Sequence, residues 1–397
     1  MHSTAPDTAP RGHIPGTRRP LTPTTAIPPC VLGSLRRAAP ALGAFLAVHL
    51  CTLLFLAVWA HRRHHGVWPM LATQWDADWY LGIADHGYTR QLGSAYDSNN
   101  LAFFPLYPVL VKAVAVVTPG SRASTGLGLA VLASFFAAWG VFAVGDRLHG
   151  RRVGLLLTVL WGALPVGLVQ WMGYTESLFT AFAAWTLYAV LDGRWGWAGA
   201  GACLAGLTRP TGVAVAAAVS VAALLSLRRS FSWQALAGAA LAPLGWCGYV
   251  GWVGLRLGRW DGYFAVQRLW RNELDGGGET LRRLRELLGH DHKPELFLIM
   301  VTLTLLVSAV LFAVSVWDRQ PVPLLVFTGV LLAIVVLSGG VYFPRARFLL
   351  PGFPLLLPVA RHLSHASRRH SALVLAAAVA GSAYCGAYML LVWPSAP

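Results

Sequence analysis

Apolar runs of about 16 to 23 residues recur from Ala38 to the C-terminus, divided by short breaks that carry arginine, aspartate, proline and aromatic residues. A helix needs about 20 such residues to cross a hydrocarbon core ~30 Å thick. The pattern predicts spans over 38–60, 124–145, 153–172, 176–191, 195–208, 212–227, 233–255, 296–316, 322–339, 348–360 and 371–393. The expected fold class is all-α, a polytopic membrane helix bundle of about 11 transmembrane helices with interfacial helices in the first external loop.

One segment, Leu101–Thr118, is apolar but interrupted by Pro105, Pro108 and Lys112. Prolines break a spanning helix and permit a surface or re-entrant one. Charge decides how to count it, because short basic loops stay cytoplasmic. With Leu101–Thr118 at the interface, the loops holding Arg147, Arg151 and Arg152, Arg194, Arg228 and Arg229, Arg319, and Arg361, Arg368 and Arg369 fall on one side with the N-terminus. That side then holds 15 of the 31 Lys and Arg but 4 of the 16 Asp and Glu. Counting the segment as a span would put nearly all of these loops outside, so the interfacial reading is preferred. The expected arrangement is a multi-pass protein of the cell membrane with a cytoplasmic N-terminus and an extracytoplasmic active site.

Residues 1–37, rich in Pro, Thr and Arg, are expected to be a disordered cytoplasmic tail. With no signal peptide expected ahead of them, the first span is expected to serve as its own insertion signal. Residues 38–397 are expected to form a single transmembrane catalytic domain.

Composition narrows the partners. Hydrophobic residues are 56% of the 397 and charged residues 12%, with a mean hydropathy of +0.57, which excludes an ordinary soluble domain. The net charge of +15 sits between apolar runs and not on one continuous face, so it points to membrane lipids and to no nucleic acid. The five cysteines have no paired spacing and are read as packing residues. No Walker loop or strand–glycine loop–helix unit offers a nucleotide site. The run His61–His65 is read as interfacial charge in preference to a metal site.

The polar clusters all fall on the external side. Trp75-Asp76-Ala77-Asp78-Trp79-Tyr80 reads as a short interfacial helix, with Asp76 able to act as a general base or to hold a divalent cation against a phosphate. Asn99–Pro108 would cap the cavity. Tyr174-Thr175-Glu176-Ser177 opens a span, where Thr175 could cap the helix and Glu176 complement its dipole, or the group could bind substrate hydroxyls. Arg209 follows a run too short to reach the surface, and a buried guanidinium needs a partner or a watery cavity. Arg345 and Arg347, flanked by aromatics, suit a lipid phosphate. The loop 256–295 carries Arg259–Trp270, which could bind sugar through Gln267 and its aromatics or simply lie at the interface.

Taken in order, Trp75-Asp76-x-x-Trp79-Tyr80, Phe103-Phe104-Pro-Leu-Tyr-Pro108, Tyr174-Thr-Glu-Ser177, Leu207-Thr-Arg-Pro-Thr-Gly212 and Arg347-Phe-Leu-Leu-Pro-x-Phe-Pro354 resemble the PIG-V-like mannosyltransferases of the GT-C superfamily. The resemblance covers roughly 38–393. It implies transfer of mannose, or another hexose, from a polyprenyl-phosphate-linked donor to a glycan, glycolipid or protein acceptor. It also implies an acidic catalytic residue in the first external loop, which Asp76 matches; Asp78 stands where many members have a small residue. The expected roles are Asp76 as catalytic base; Asp78, Trp75, Tyr80, Tyr174, Glu176 and Gln267 in substrate binding; and Arg209, Arg345 and Arg347 on the lipid phosphate. No metal ligand and no resident cofactor is assigned, with a divalent cation the one metal role left open. A transporter or flippase of lipid-linked sugars is the rival reading.

Overall fold

The computed structural model describes residues 31–94, 99–289 and 295–395. They fold into α1 (Val31–Arg62), α2 (Val67–Ala72), α3 (Asp76–His86), α4 (Leu106–Ala115), α5 (Arg122–His149), α6 (Arg151–Gly162), α7 (Glu176–Leu191), α8 (Trp195–Gly206), α9 (Gly212–Leu227), α10 (Trp233–Leu241), α11 (Leu244–Leu257), α12 (Gly262–Leu269), α13 (Gly278–Gly289), α14 (Leu296–Trp317), α15 (Val322–Leu337), α16 (Arg345–Phe348), α17 (Leu357–His365) and α18 (Arg368–Leu391). Among the described residues the sole β contact is an isolated bridge between Leu274 and Ser338. The molecule is an all-α membrane helix bundle.

Each expected span contains helix, but the spans are unequal, and the one expected over 153–172 ends as an α-helix at Gly162 and goes on through a turn to a 3-10 segment at Gly167–Trp171. Five helical stretches are long and apolar enough to cross a membrane: Leu32–Arg62, Arg122–His149, Trp233–Leu257, Leu296–Trp317 and Arg368–Leu391. Leu54, Leu132 and Val310 on these helices face outward, the reverse of a soluble core and suited to lipid contact. The others are short or broken. α7, α9 and α15 have 16 residues each, a rise of about 24 Å, and α6 and α8 have 12. The expected tenth span is divided into α16, a 3-10 turn at Phe353–Leu356, and α17. α4 has 10 residues, about 15 Å of rise, too short to span, and it packs on α3 and α5. The first helix begins at Val31 and not at Ala38, so 31–37 are helical; the rest of the expected tail, 1–30, lies outside the described residues.

Small residues let the central helices close up. A Cβ on Gly154 of α6 would stand 2.7 Å from the Phe142 carbonyl oxygen of α5, so those helices touch backbone to backbone. α5 also packs on α7, α7 on α8, and α15 on α9. At one end the loops that carry the basic residues are tied together: Arg37 to Asp146 at 2.6 Å, Arg194 to Asp192 at 2.8 Å, Arg361 to Asp318 at 3.7 Å, and Arg152 to the Ala366 carbonyl at 3.2 Å. At the other end α3, α7 and α9 begin, α8 and α15 stop, and α16 turns. The short helices leave room there for a cavity.

Candidate active site

Asp76 is the first residue of α3, and Trp75 before it adopts φ 53°, ψ −116°. A non-glycine residue in that region is strained, and such strain gathers where structure is held for function. Placing carboxylates in the first turn complements the helix dipole. Asp76 turns inward, while Asp78, two positions on, is exposed. Asp78 does not line the cavity, so the two carboxylates do not form a paired metal site. Among the described residues no group of three or more His, Cys, Asp or Glu could hold a metal ion.

Glu176 opens α7, reached through Gly173, whose amide bonds the Leu71 carbonyl at 2.8 Å. Because Gly173 has no side chain, its segment lies close against Leu71 and Ala72, which brings Glu176 beside the start of α3. Arg209 comes from the turn between α8 and α9, and Arg347 from α16. The four charges meet: Arg347 Nη1 lies 2.7 Å from Asp76 Oδ2, Arg347 Nε lies 3.3 Å from Glu176 Oε1, and Arg209 Nη1 lies 2.7 Å from the same Glu176 oxygen. Arg209 Nη1 also donates to Thr175 Oγ1 at 2.9 Å, and that hydroxyl bonds the Tyr80 phenol at 3.0 Å. Thr175 therefore serves the arginine and makes no side-chain cap for α7. The Arg347 guanidinium rests over the Tyr174 ring at 4.9 Å and the Phe348 ring at 5.3 Å, favourable cation–π positions.

These ion pairs are close, yet the Arg347 Nε and Nη1 protons and both Glu176 oxygens make no hydrogen bond of good angle. Charge proximity without directional bonding leaves donor capacity on Arg347 for another acceptor. The cavity has a volume of about 700 Å³. Asp76, Arg209 and Arg347 form its ionic floor, and Trp75, Trp79, Tyr80, Phe103, Trp270 and Phe348 give it aromatic walls. Trp79, Phe103 and Trp270 pack on one another with ring centroids 5.2–5.4 Å apart.

The expected residues thus divide. Asp76, Trp75, Tyr80, Gln267, Arg209 and Arg347 line one cavity. Gln267 donates to the Tyr263 hydroxyl at 2.6 Å and receives from Asn272 at 3.3 Å. Tyr174 and Glu176 are buried behind the arginines and do not line the cavity; they support the site from below, where direct substrate contact was expected. Arg345 is also displaced from its expected role. It is buried and turned away, donating to Thr280 Oγ1 and the Ser338 carbonyl over the Tyr342 ring. Successive helical residues turn by about 100°, so positions 345 and 347 on one turn point in nearly opposite directions.

Trp79, Phe103, Trp270 and Phe348 sit in motifs the sequence displays, whereas Arg271 and Asn272 at the rim were missed. Earlier in the same loop, outside the cavity lining, Asp261 accepts from Arg259 at 2.8 Å and Arg268 at 2.6 Å; those two guanidiniums hold its carboxyl down at about 2.

No family model matches the chain. The GPI alpha-1,6-mannosyltransferase 2 of Rattus norvegicus is 30% identical over 136 residues, covering 32% of this chain and 26% of the rat protein. The enzyme of the same name from Mus musculus matches at the same identity and coverage. The match thus spans about a quarter of the length of these relatives. Among solved structures, ArnT from Cupriavidus metallidurans bound to undecaprenyl phosphate superposes with a TM-score of 0.53 and 16% identity, over 84% of this chain and 63% of ArnT. The chain thus shares the GT-C type of membrane fold, and its sequence is similar to PIG-V mannosyltransferases.

Proposed function

We propose that the chain is an integral-membrane glycosyltransferase that moves mannose, or another hexose, from a polyprenyl-phosphate-linked donor to a glycan, glycolipid or protein acceptor, with inversion at the anomeric carbon. The observation that carries the reading is one cavity in which a carboxylate meets two buried guanidiniums under aromatic walls. The partial likeness to mannosyltransferases and the shared fold with a protein that holds undecaprenyl phosphate support the same class.

The donor phosphate takes hydrogen bonds from Arg347 and Arg209, whose planar forks suit phosphate oxygens. In doing so it displaces Asp76 from Arg347. The freed carboxylate accepts the proton of the acceptor hydroxyl as its oxygen attacks the anomeric carbon. The bond from that carbon to the phosphate oxygen breaks, and polyprenyl phosphate leaves with one more negative charge. The guanidiniums stabilise that growing charge in a site shielded from water. Asp76 is the sole carboxylate among the described residues lining the cavity. Glu176 is too deep to act as a second nucleophile, so a single displacement with inversion follows. Phosphate leaves without a general acid.

The basic loops tied together at the opposite end support a cytoplasmic face there and an extracytoplasmic site. Membranes given radiolabelled polyprenyl-phosphate mannose should form a labelled glycoside, and Asp76→Asn should not. A fully active Asp76→Asn enzyme removes Asp76 from the mechanism. Label that crosses vesicles with no new glycosidic bond would favour the transporter reading.

A further inference from the structure

The ionic floor of the cavity is already balanced. Asp76 and Glu176 offset Arg347 and Arg209, so the four side chains carry no net charge with which to attract an anion. Among the described residues lining the cavity, one further charged group remains, Arg271. Its guanidinium enters no ion pair among the described residues. Asp261, a nearby acid in chain order, is occupied by Arg259 and Arg268.

The backbone holds Arg271 in place with unusual care. Its φ is 54°, a left-handed conformation that costs a non-glycine residue energy and persists where surroundings enforce it. Those surroundings are specific. The Arg271 amide bonds the Arg268 carbonyl at 3.0 Å and the Asn272 amide bonds the Gln267 carbonyl at 2.9 Å. The following residues are zipped to the segment that leads into α16: Leu274 bridges Ser338, the Asp275 amide bonds Leu337 at 3.1 Å, and the Gly339 amide bonds Glu273 at 2.5 Å. The Arg271 carbonyl lies where a Cβ of Gly340 would be, and Gly340 itself has φ 78°. Buried Arg345 fastens the same two segments through Thr280 and Ser338. The zipper fixes a strained arginine on the wall that also holds Val341, Phe343 and Arg347.

We propose that Arg271 is the uncommitted cation that receives the donor's phosphodiester and gives the site its selectivity for a lipid monophosphate. With Arg271 the site has one net positive charge, which attracts the donor's phosphodiester and, once the sugar has left, the more negative polyprenyl phosphate that remains. The contact rests on the donor class proposed above and adds a residue to it.

The test uses the full chain in phosphatidylcholine nanodiscs doped with polyprenyl phosphate, with the uncharged polyprenol, or with phosphatidylglycerol, and measures binding by thermophoresis or thermal shift. Wild type should prefer polyprenyl phosphate to polyprenol. Arg271→Gln should weaken polyprenyl phosphate binding by about 10- to 100-fold, as for loss of a charged hydrogen bond, and leave polyprenol binding unchanged. Arg271→Lys should recover part of the loss. Arg285→Gln, which removes an equal charge from exposed α13, should change nothing. Unaltered binding in Arg271→Gln, or an equal loss for polyprenol, overturns the inference while the donor reading stands. Phosphatidylglycerol competing as well as polyprenyl phosphate would reduce Arg271 to a bulk headgroup contact and overturn it too. If wild type does not distinguish the phosphate from the alcohol, the donor reading itself fails.

Discussion

Both ends of the bundle join arginine to a carboxylate, at similar distances and in different surroundings. Arg37 meets Asp146 at 2.6 Å with its side chain 58% exposed, whereas Arg347 meets Asp76 at 2.7 Å and is 4% exposed. At the first end water solvates either charge alone, so a pair there contributes about 0–1 kcal/mol. At the second end solvation has been surrendered, and removal of one partner strands the other at a cost of about 3–5 kcal/mol. On the proposed reading the basic end sets orientation through its sign of charge and tolerates change. The proposed function gives the site end a reason to keep buried charges, since their interactions would be exchanged for those of a substrate.

Four substitutions probe this contrast, beginning with the largest effect. Asp76→Asn should lower transfer by about 10²–10⁴-fold, the usual contribution of a general base, while the protein still inserts; scintillation counting of labelled product reads it. Glu176→Gln comes next. It removes the shared partner of Arg209 and Arg347, and should destabilise the protein by about 3–5 kcal/mol, seen as a lower melting temperature in detergent. A Glu176→Gln protein that melts like wild type would show that the guanidiniums are solvated through the cavity. Gly340→Ala should be intermediate, because its Cβ meets the Arg271 carbonyl and its φ is left-handed; a loss of about 1–3 kcal/mol, together with weaker donor binding, is expected. Arg37→Gln should shift stability by under about 1 kcal/mol, with transfer unchanged. An effect of Arg37→Gln as large as that of Glu176→Gln would erase the distinction between the two ends.

Much of the fold could be read along the chain because lipid imposes a simple rule on sequence. Backbone polar groups in hydrocarbon must be satisfied within the helix, so long apolar runs such as 296–316 can only be helical. Helix starts were less exact: the expected cap Thr175 makes none, whereas Ser121 accepts from the Ser124 amide at 3.2 Å and Ser367 from the His370 amide at 3.2 Å, caps that lie ahead of the expected starts at 124 and 371. The boundaries of the broken span at 345–365 were harder to place, since Pro351 and Pro354 permit several turns. In the site, Asp76 and Arg209 stood out because a polar group beside an apolar run needs a reason to be there.

The sequence by itself determined that this is a helical membrane protein, which end is basic, and which charged residues lie near the opposite end. Those properties follow from runs and counts within one stretch of chain. Only the tertiary structure decided that Glu176 stands behind Arg209 and Arg347, that Arg345 fastens a loop while Arg347 faces the cavity, and that Arg271 is left without a carboxylate among the described residues. Each of those facts depends on the direction of a side chain and on neighbours drawn from distant helices, and an ion pair across 271 positions, as between Asp76 and Arg347, has no local pattern to announce it.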